Sequence, residues 1–172
     1  MIRKTLAAGA LAMAAAAAPA HAADGYSFEV GHAEDDTNLW RVGLQWKWHW
    51  KARERHRYHV TGYWDLSYGT WHREHTIHDF SFTPVFRLQR EDGPGPYAEA
   101  AIGFHLLSRV DINSTRVFST HFQFGDHIAL GYRFGDEGRY DLSLRVQHIS
   151  NGSIESPNPG INFLQLRFQV HR

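Results

Sequence analysis

A chain of 172 residues with 18 basic and 18 acidic side chains, 13 histidines and no cysteine fits one domain and has no disulfide framework to hold it. A formal net charge of zero gives no overall pull toward nucleic acid. The histidines are scattered, without metal-ligand spacing such as HExxH, so no metal or other cofactor is expected.

The first residues predict export. Arg3 and Lys4 form a short positive region, an alanine-dominated apolar run follows from Thr5 to Ala18, and Ala20-His21-Ala22 has the small-x-small pattern of a cleavage site. The apolar core is too short for a membrane-spanning helix and reads as a secretory signal over residues 1–22, cut after Ala22. Without Arg3 and Lys4 the mature chain, residues 23–172, carries 16 basic against 18 acidic side chains.

From there on the dominant hydrophobic period is two. After a weaker opening strand from Tyr26 to His32, one face of Leu39–Lys51 reads Trp40, Val42, Leu44, Trp46, Trp48 and Trp50, and the other Leu39, Arg41, Gly43, Gln45, Lys47 and His49. Such alternation is that of a strand with one apolar face. The same pattern recurs over Tyr58–Gly69, Asp79–Gln89, Ala98–Leu106, His127–Phe134, Leu142–Val146 and Leu164–Val170, which makes eight strands. Lys51–Arg57, Glu91–Pro96 and Gly135–Gly138 are short polar turns, whereas Asp111–Thr120 and Asn151–Gly160 are longer loops. Short turns on one rim and longer loops on the other are the pattern of an outer-membrane barrel.

A soluble sandwich or barrel also alternates, but it would turn the apolar face inward. Here the other face carries Arg41, Lys47, Asp65, Arg87, Glu99, Arg133, Arg145, Gln165 and Arg167, and the apolar face carries Trp and Tyr toward strand ends, as in interfacial girdles. The expected fold is therefore all-β, an eight-stranded antiparallel transmembrane β-barrel in a Gram-negative outer membrane. Its inner charges pair with one another in a narrow interior.

Parity also exposes an anomaly. Leu142, Leu144 and Val146 face lipid, and counting on by twos puts His148 and Ser150 on the same side. Two residues apart on one face, an imidazole can reach a serine hydroxyl. Asn162 shares the parity of Leu164 and Leu166, and a tight Gly135–Gly138 hairpin sets Asp126 opposite His148. A nucleophile, a base and orienting groups would then share the outer wall. The same residues also suit an aqueous rim, with Asn151-Gly152 as turn chemistry and Pro157–Gly160 as a rigid loop.

The segment from His148 to Gly160 resembles the signature of the PagL family of lipid A deacylases, a His-x-Ser-Asn motif followed by a Pro-Asn-x-Gly loop. His148, Ser150, Asn151, Pro157, Asn158 and Gly160 match in order and spacing. The likeness extends through the Trp-rich second strand, Phe82-Thr83-Pro84-Val85-Phe86-Arg87-Leu88 and Gly131-Tyr132-Arg133-Phe134-Gly135, and so over nearly the whole mature chain. It implies a cofactor-free serine esterase that removes the ester-linked 3-hydroxyacyl chain at position 3 of lipid A, the membrane-embedded lipopolysaccharide being its partner. A homodimer is allowed.

By this resemblance Ser150 is the nucleophile, His148 the general base, and backbone N–H groups near Asn151 and Ser153 the oxyanion hole, Ser153 standing where the family pattern has glycine. The chain departs from the pattern at Asn162, where the third triad member is glutamate. Asn162 can orient the imidazole through its carbonyl, with Asp126 as a reserve acid and Glu155 as a less favoured one. Two other readings stay open at this point, a non-catalytic adhesin or structural barrel and a phospholipase-type esterase.

Overall fold

The computed structural model describes residues 22–55, 57–90 and 93–172; the leader expected over 1–22 lies, apart from Ala22, outside them. Alternation of apolar and polar side chains produces eight long strands, β1 Gly25–Ala33, β2 Asn38–Lys47, β3 Tyr58–His72, β4 Thr76–Arg90, β5 Gly95–Leu107, β6 Phe122–Phe134, β7 Tyr140–Ser150 and β8 Ile161–His171. Each pairs antiparallel with its sequence neighbours, and β1 also pairs with β8. The sheet therefore closes on itself and leaves no long edge unpaired, the condition for strands to stand in hydrocarbon. Three short segments complete the sheet structure. Ala52–Arg55 folds back on β3, and Asp111–Asn113 pairs with Arg116–Val117 in the loop after β5.

The two faces are inverted relative to a water-soluble protein. On the outside, Leu130 is 72% exposed and Ile128 67%, while on the inside Arg145 and Arg167 are 2% and 1% exposed. A belt of exposed aliphatic and aromatic side chains around the whole barrel would be prohibitive in water. With lipid as the solvent of the wall, it is the expected surface.

Burying the inner charges requires that each be paired. Arg41 donates to Glu29 at 2.7 Å and to Asp79 at 2.8 Å. Arg145 and Arg167 approach the other oxygen of Glu29 at 3.0 and 3.5 Å, and Arg167 also donates to Asp65. Arg87 reaches Glu99 at 2.8 Å and Asp141 at 2.6 Å, with the ring of Tyr97 4.0 Å from its guanidinium.

Toward the rim of the longer loops the filling changes character. Trp71, Ile77, Leu107, Ile149, Ile161 and Phe163 point inward and meet Ile112 and Phe118 from the loop between β5 and β6. An apolar plug thus closes this end.

One expectation is corrected. The Trp-rich strand ends at Lys47, not at Lys51, and Lys47, opposite the inward Tyr63, stands exposed at the mouth of the barrel. Packing explains the break. Trp48 lays its ring over Gly62, where a Cβ would lie only 2.3 Å from it, and stacks on Trp50 at 5.4 Å. The β6–β7 hairpin has the register expected from its short turn, with Phe134 opposite Tyr140, Leu130 opposite Leu144 and Asp126 opposite His148.

Candidate active site

Strand β7 leaves the lipid-facing pattern at its last outward positions. Register places His148 between Asp126 on β6 and Asn162 on β8, and Ser150 beside Phe124. His148 Nδ1 donates to Asn162 Oδ1 at 2.7 Å. The Cα of Ser150 stands roughly 6.5–7 Å further along the same face of the strand. Asp126 makes no side-chain hydrogen bond to His148 among the described residues, although the two stand side by side.

The loop after Ser150 is tied from below. Asn151 is 1% exposed, and its side-chain amide donates to Ser119 Oγ and to the Glu155 carbonyl, both at 2.7 Å. Gly152 and Ser153 both have positive φ, 64° and 63°, and Ile154 N donates to Asn151 O at 3.3 Å, a two-residue turn of the I′ kind. The Asn151 N–H, expected to face an oxyanion, instead donates to Asn158 Oδ1 at 3.0 Å. Glu155 contributes its carbonyl, while its carboxylate is exposed and has no hydrogen bond to His148.

Gly160 supports the imidazole directly. Its φ is +61°, and a Cβ there would lie 2.6 Å from His148 Cε1. Gly160→Ala therefore strains the backbone and pushes the ring aside. The expected result is a loss of roughly 100-fold in kcat, the scale of a 1 Å misplacement, in a protein that still shows the heat-modifiable gel mobility of a folded barrel. Wild-type turnover in that variant would remove Gly160 from the site.

Three polar residues that the sequence reading did not single out complete the surroundings. Asn162 Nδ2 donates to Glu34 Oε2 at 3.2 Å. Arg116 donates to the other Glu34 oxygen at 3.3 Å and to the Gly160 carbonyl at 2.5 Å. Ser119, below the loop that follows Ser150, accepts from Asn151.

Asp35 anchors this cap through Thr37 Oγ1 at 2.7 Å, Asn113 at 2.9 Å and ion pairs with Arg116 at 3.3 Å and Arg73 at 3.6 Å. Burial by itself would raise its pKa, but the Thr37 hydrogen bonds and the two guanidinium groups hold it below the usual carboxylate range. The carboxylate therefore stays charged at neutral pH and keeps Arg116 in place. An Asp-x-Thr turn signal was present in the sequence, but nothing local pointed to Glu34, Arg116 or Ser119.

On the wall below, a shallow groove of about 600 Å³ crosses from β4 to β7. Ala100 makes its low floor, Phe86, Ile102, Ile128 and Val146 flank it, and Asp126 and His148 border it on the side of the longer loops. Among the described residues, no group of three or more His, Asp or Glu side chains is placed to hold a metal ion.

Comparison with known proteins bears on this wall. The chain is 29% identical over 168 residues to the lipid A deacylase PagL of Pseudomonas aeruginosa, covering 93% of this chain and 95% of that one. It is 40% identical over 88 residues to the lipid A deacylase PagL of Bordetella bronchiseptica, covering 51% and 47% respectively. The crystal structure of the outer membrane enzyme PagL superposes with a TM-score of 0.79 at 28% identity, covering 86% of this chain and 99% of that one. A family model described as lipid A 3-O-deacylase (PagL) matches residues 38–171. The chain belongs to the lipid A 3-O-deacylase (PagL) family of outer-membrane β-barrels.

Proposed function

We propose that this protein hydrolyses the 3-O-acyl ester of lipid A from the outer wall of its barrel, with Ser150 as nucleophile and His148 as general base. The observation that carries the reading is the His148–Asn162 hydrogen bond of 2.7 Å, made beside Ser150 on a lipid-facing strand. Polar side chains on such a surface cost free energy, and a serine next to an oriented imidazole gives that cost a chemical purpose.

Ser150 Oγ attacks the ester carbonyl carbon while His148 Nε2 takes its proton. The tetrahedral intermediate collapses, the C–O bond to the sugar breaks, and the sugar oxygen takes the proton back from His148. Water, deprotonated by His148, then attacks the acyl-serine, releasing a fatty acid and restoring Ser150. The Ser153 N–H is the oxyanion donor that the turn leaves available. Asn151 serves as a second donor by exchanging Asn158 Oδ1 for the oxyanion.

The groove beside His148 takes the acyl chain without withdrawing it from the bilayer. Asp126, in the groove wall and without a bond to His148, is better placed to meet a hydroxyl on that chain than to orient the base. Asn162 holds the imidazole by its carbonyl, which sets direction without adding a negative charge to stabilise the imidazolium.

Mass spectrometry of lipid A incubated with the folded protein tests this. The expected product has lost the mass of one 3-hydroxyacyl chain, with the matching free acid released. Unchanged lipid A overturns the proposal, and acyl release from glycerophospholipid alone points to a phospholipase.

A further inference from the structure

A neutral amide in place of a carboxylate creates a problem that a carboxylate does not have. Both carboxylate oxygens accept, so either way round the group calls for a proton on His148 Nδ1. An asparagine has an accepting and a donating end, and only one orientation is productive. With Oδ1 toward His148, Nδ1 carries the proton and Nε2 is free to take one from Ser150. With Nδ2 toward His148, Nδ1 must accept, Nε2 carries the proton, and the base is blocked. Something has to choose between the two.

The choice is made 128 positions away in sequence. Glu34 Oε2 accepts from Asn162 Nδ2 at 3.2 Å, and a carboxylate can do nothing but accept. Its second oxygen is held by Arg116, whose two terminal nitrogens both stand 3.3 Å from Oε1. Arg116 is itself fixed on the Gly160 carbonyl at 2.5 Å and on Asp35 at 3.3 Å. The Glu34 carboxylate is thus aimed, and it leaves Asn162 a single favourable orientation.

We infer that Glu34 is a positioning residue, which fixes the sense of the Asn162 amide and through it the Nδ1-protonated tautomer of His148. The site is then a four-member chain, Ser150, His148, Asn162 and Glu34, with Arg116 holding the last member. The inference rests on the esterase reading for its catalytic meaning, whereas the tautomer itself is observable without turnover.

The experiment is a comparison of Glu34→Ala, Glu34→Gln and Glu34→Lys. Each is purified as a folded barrel in detergent and examined by ¹⁵N imidazole spectra, with His148 assigned by the loss of its signals in His148→Gln. Recorded at a pH where imidazole is neutral, the wild type shows His148 with the proton on Nδ1. Glu34→Gln, whose one carbonyl oxygen is held by Arg116, turns its amide nitrogen toward Asn162, so it shifts His148 toward the Nε2-protonated form and lowers kcat by about tenfold. Glu34→Ala gives a tautomer mixture and a loss of about tenfold in kcat with KM unchanged, a modest loss because Glu34 is half exposed. Glu34→Lys can only donate, so it turns the amide round, protonates Nε2 and lowers kcat by about 100-fold. In an Asn162→Glu background, where a carboxylate meets His148 directly, the Glu34→Ala loss shrinks to less than twofold.

An unchanged His148 tautomer in both Glu34→Ala and Glu34→Lys overturns the inference, whatever happens to rate. A rate loss with the tautomer intact does so as well, because it would mark a structural role only. If the tautomer follows Glu34 but Ser150→Ala still deacylates lipid A, the inference stands and the serine-esterase reading falls.

Discussion

Ser150→Ala yields a folded barrel whose kcat on lipid A is lower by at least roughly 10⁴-fold, the scale seen when a serine-hydrolase nucleophile is removed. KM hardly changes, because the groove between β4 and β7 that we propose takes the acyl chain is not lined by Ser150. The substrate is held as before and only the bond-forming partner is gone. The loss should not add to that of His148→Gln. The two residues act as one unit, so the double variant is about as slow as either single one. A kinetic assay of released 3-hydroxy acid in mixed micelles reads all three. Retention of more than a hundredth of wild-type kcat by Ser150→Ala would falsify the nucleophile assignment.

The largest effect on stability is expected from Glu29→Ala, far from the chemistry. Glu29 is the shared acceptor of Arg41, Arg145 and Arg167, all of them buried. Removing it leaves three buried guanidinium groups close together, with only Asp79, Glu99 and Asp65, each already engaged, to balance them. Breaking a buried charge network from one side costs about 3–5 kcal/mol, and no rearrangement inside a closed eight-stranded barrel brings in a new carboxylate. Urea unfolding of the protein refolded in lipid vesicles measures the difference. Val30→Ala, one residue along but on the lipid side, serves as the contrast. It should cost well under 1 kcal/mol, since hydrocarbon chains close around the smaller side chain. Equal midpoints for Glu29→Ala and the wild type would show that the arginines find partners elsewhere.

How much of this was readable beforehand depends on the range of the interaction. Strand number, the inward side of the charges and the outward side of His148 and Ser150 all follow from a period of two, which is a local signal. The pairing of Asp126 with His148 follows from one short turn. Alternation tells which side of the sheet a residue is on but says nothing of depth. The inward Trp71, Ile77 and Phe163 therefore gave no hint that they would gather with Ile112 and Phe118 into a plug. The Trp row misled only about length: Trp48 keeps the outward side, against Trp64 and Phe86, although the strand has ended at Lys47.

At the site, the reading reached the residues on neighbouring strands and stopped there. Asn162 was legible as the partner of His148 because it shares the lipid-facing parity of β8 and stands where the PagL pattern, which the chain resembles, has the third triad member. Glu34 and Arg116 come from two other loops, and only closure of the barrel by β1 against β8 brings Glu34 to Asn162. The commitment of the Asn151 N–H to Asn158 is likewise a matter of loop geometry that no spacing rule encodes.

The plug and the filled interior also bear on the cell that carries this protein. An outer membrane excludes detergents and antibiotics only as well as its least tight component. Here the bore is occupied by a salt-bridged column and stoppered by indole and aliphatic groups at one mouth. Among the described residues this filling leaves no open bore for ions and solutes, so many copies can reside in the membrane without adding leakage. With the proposed site on the wall, turnover does not require that bore to open.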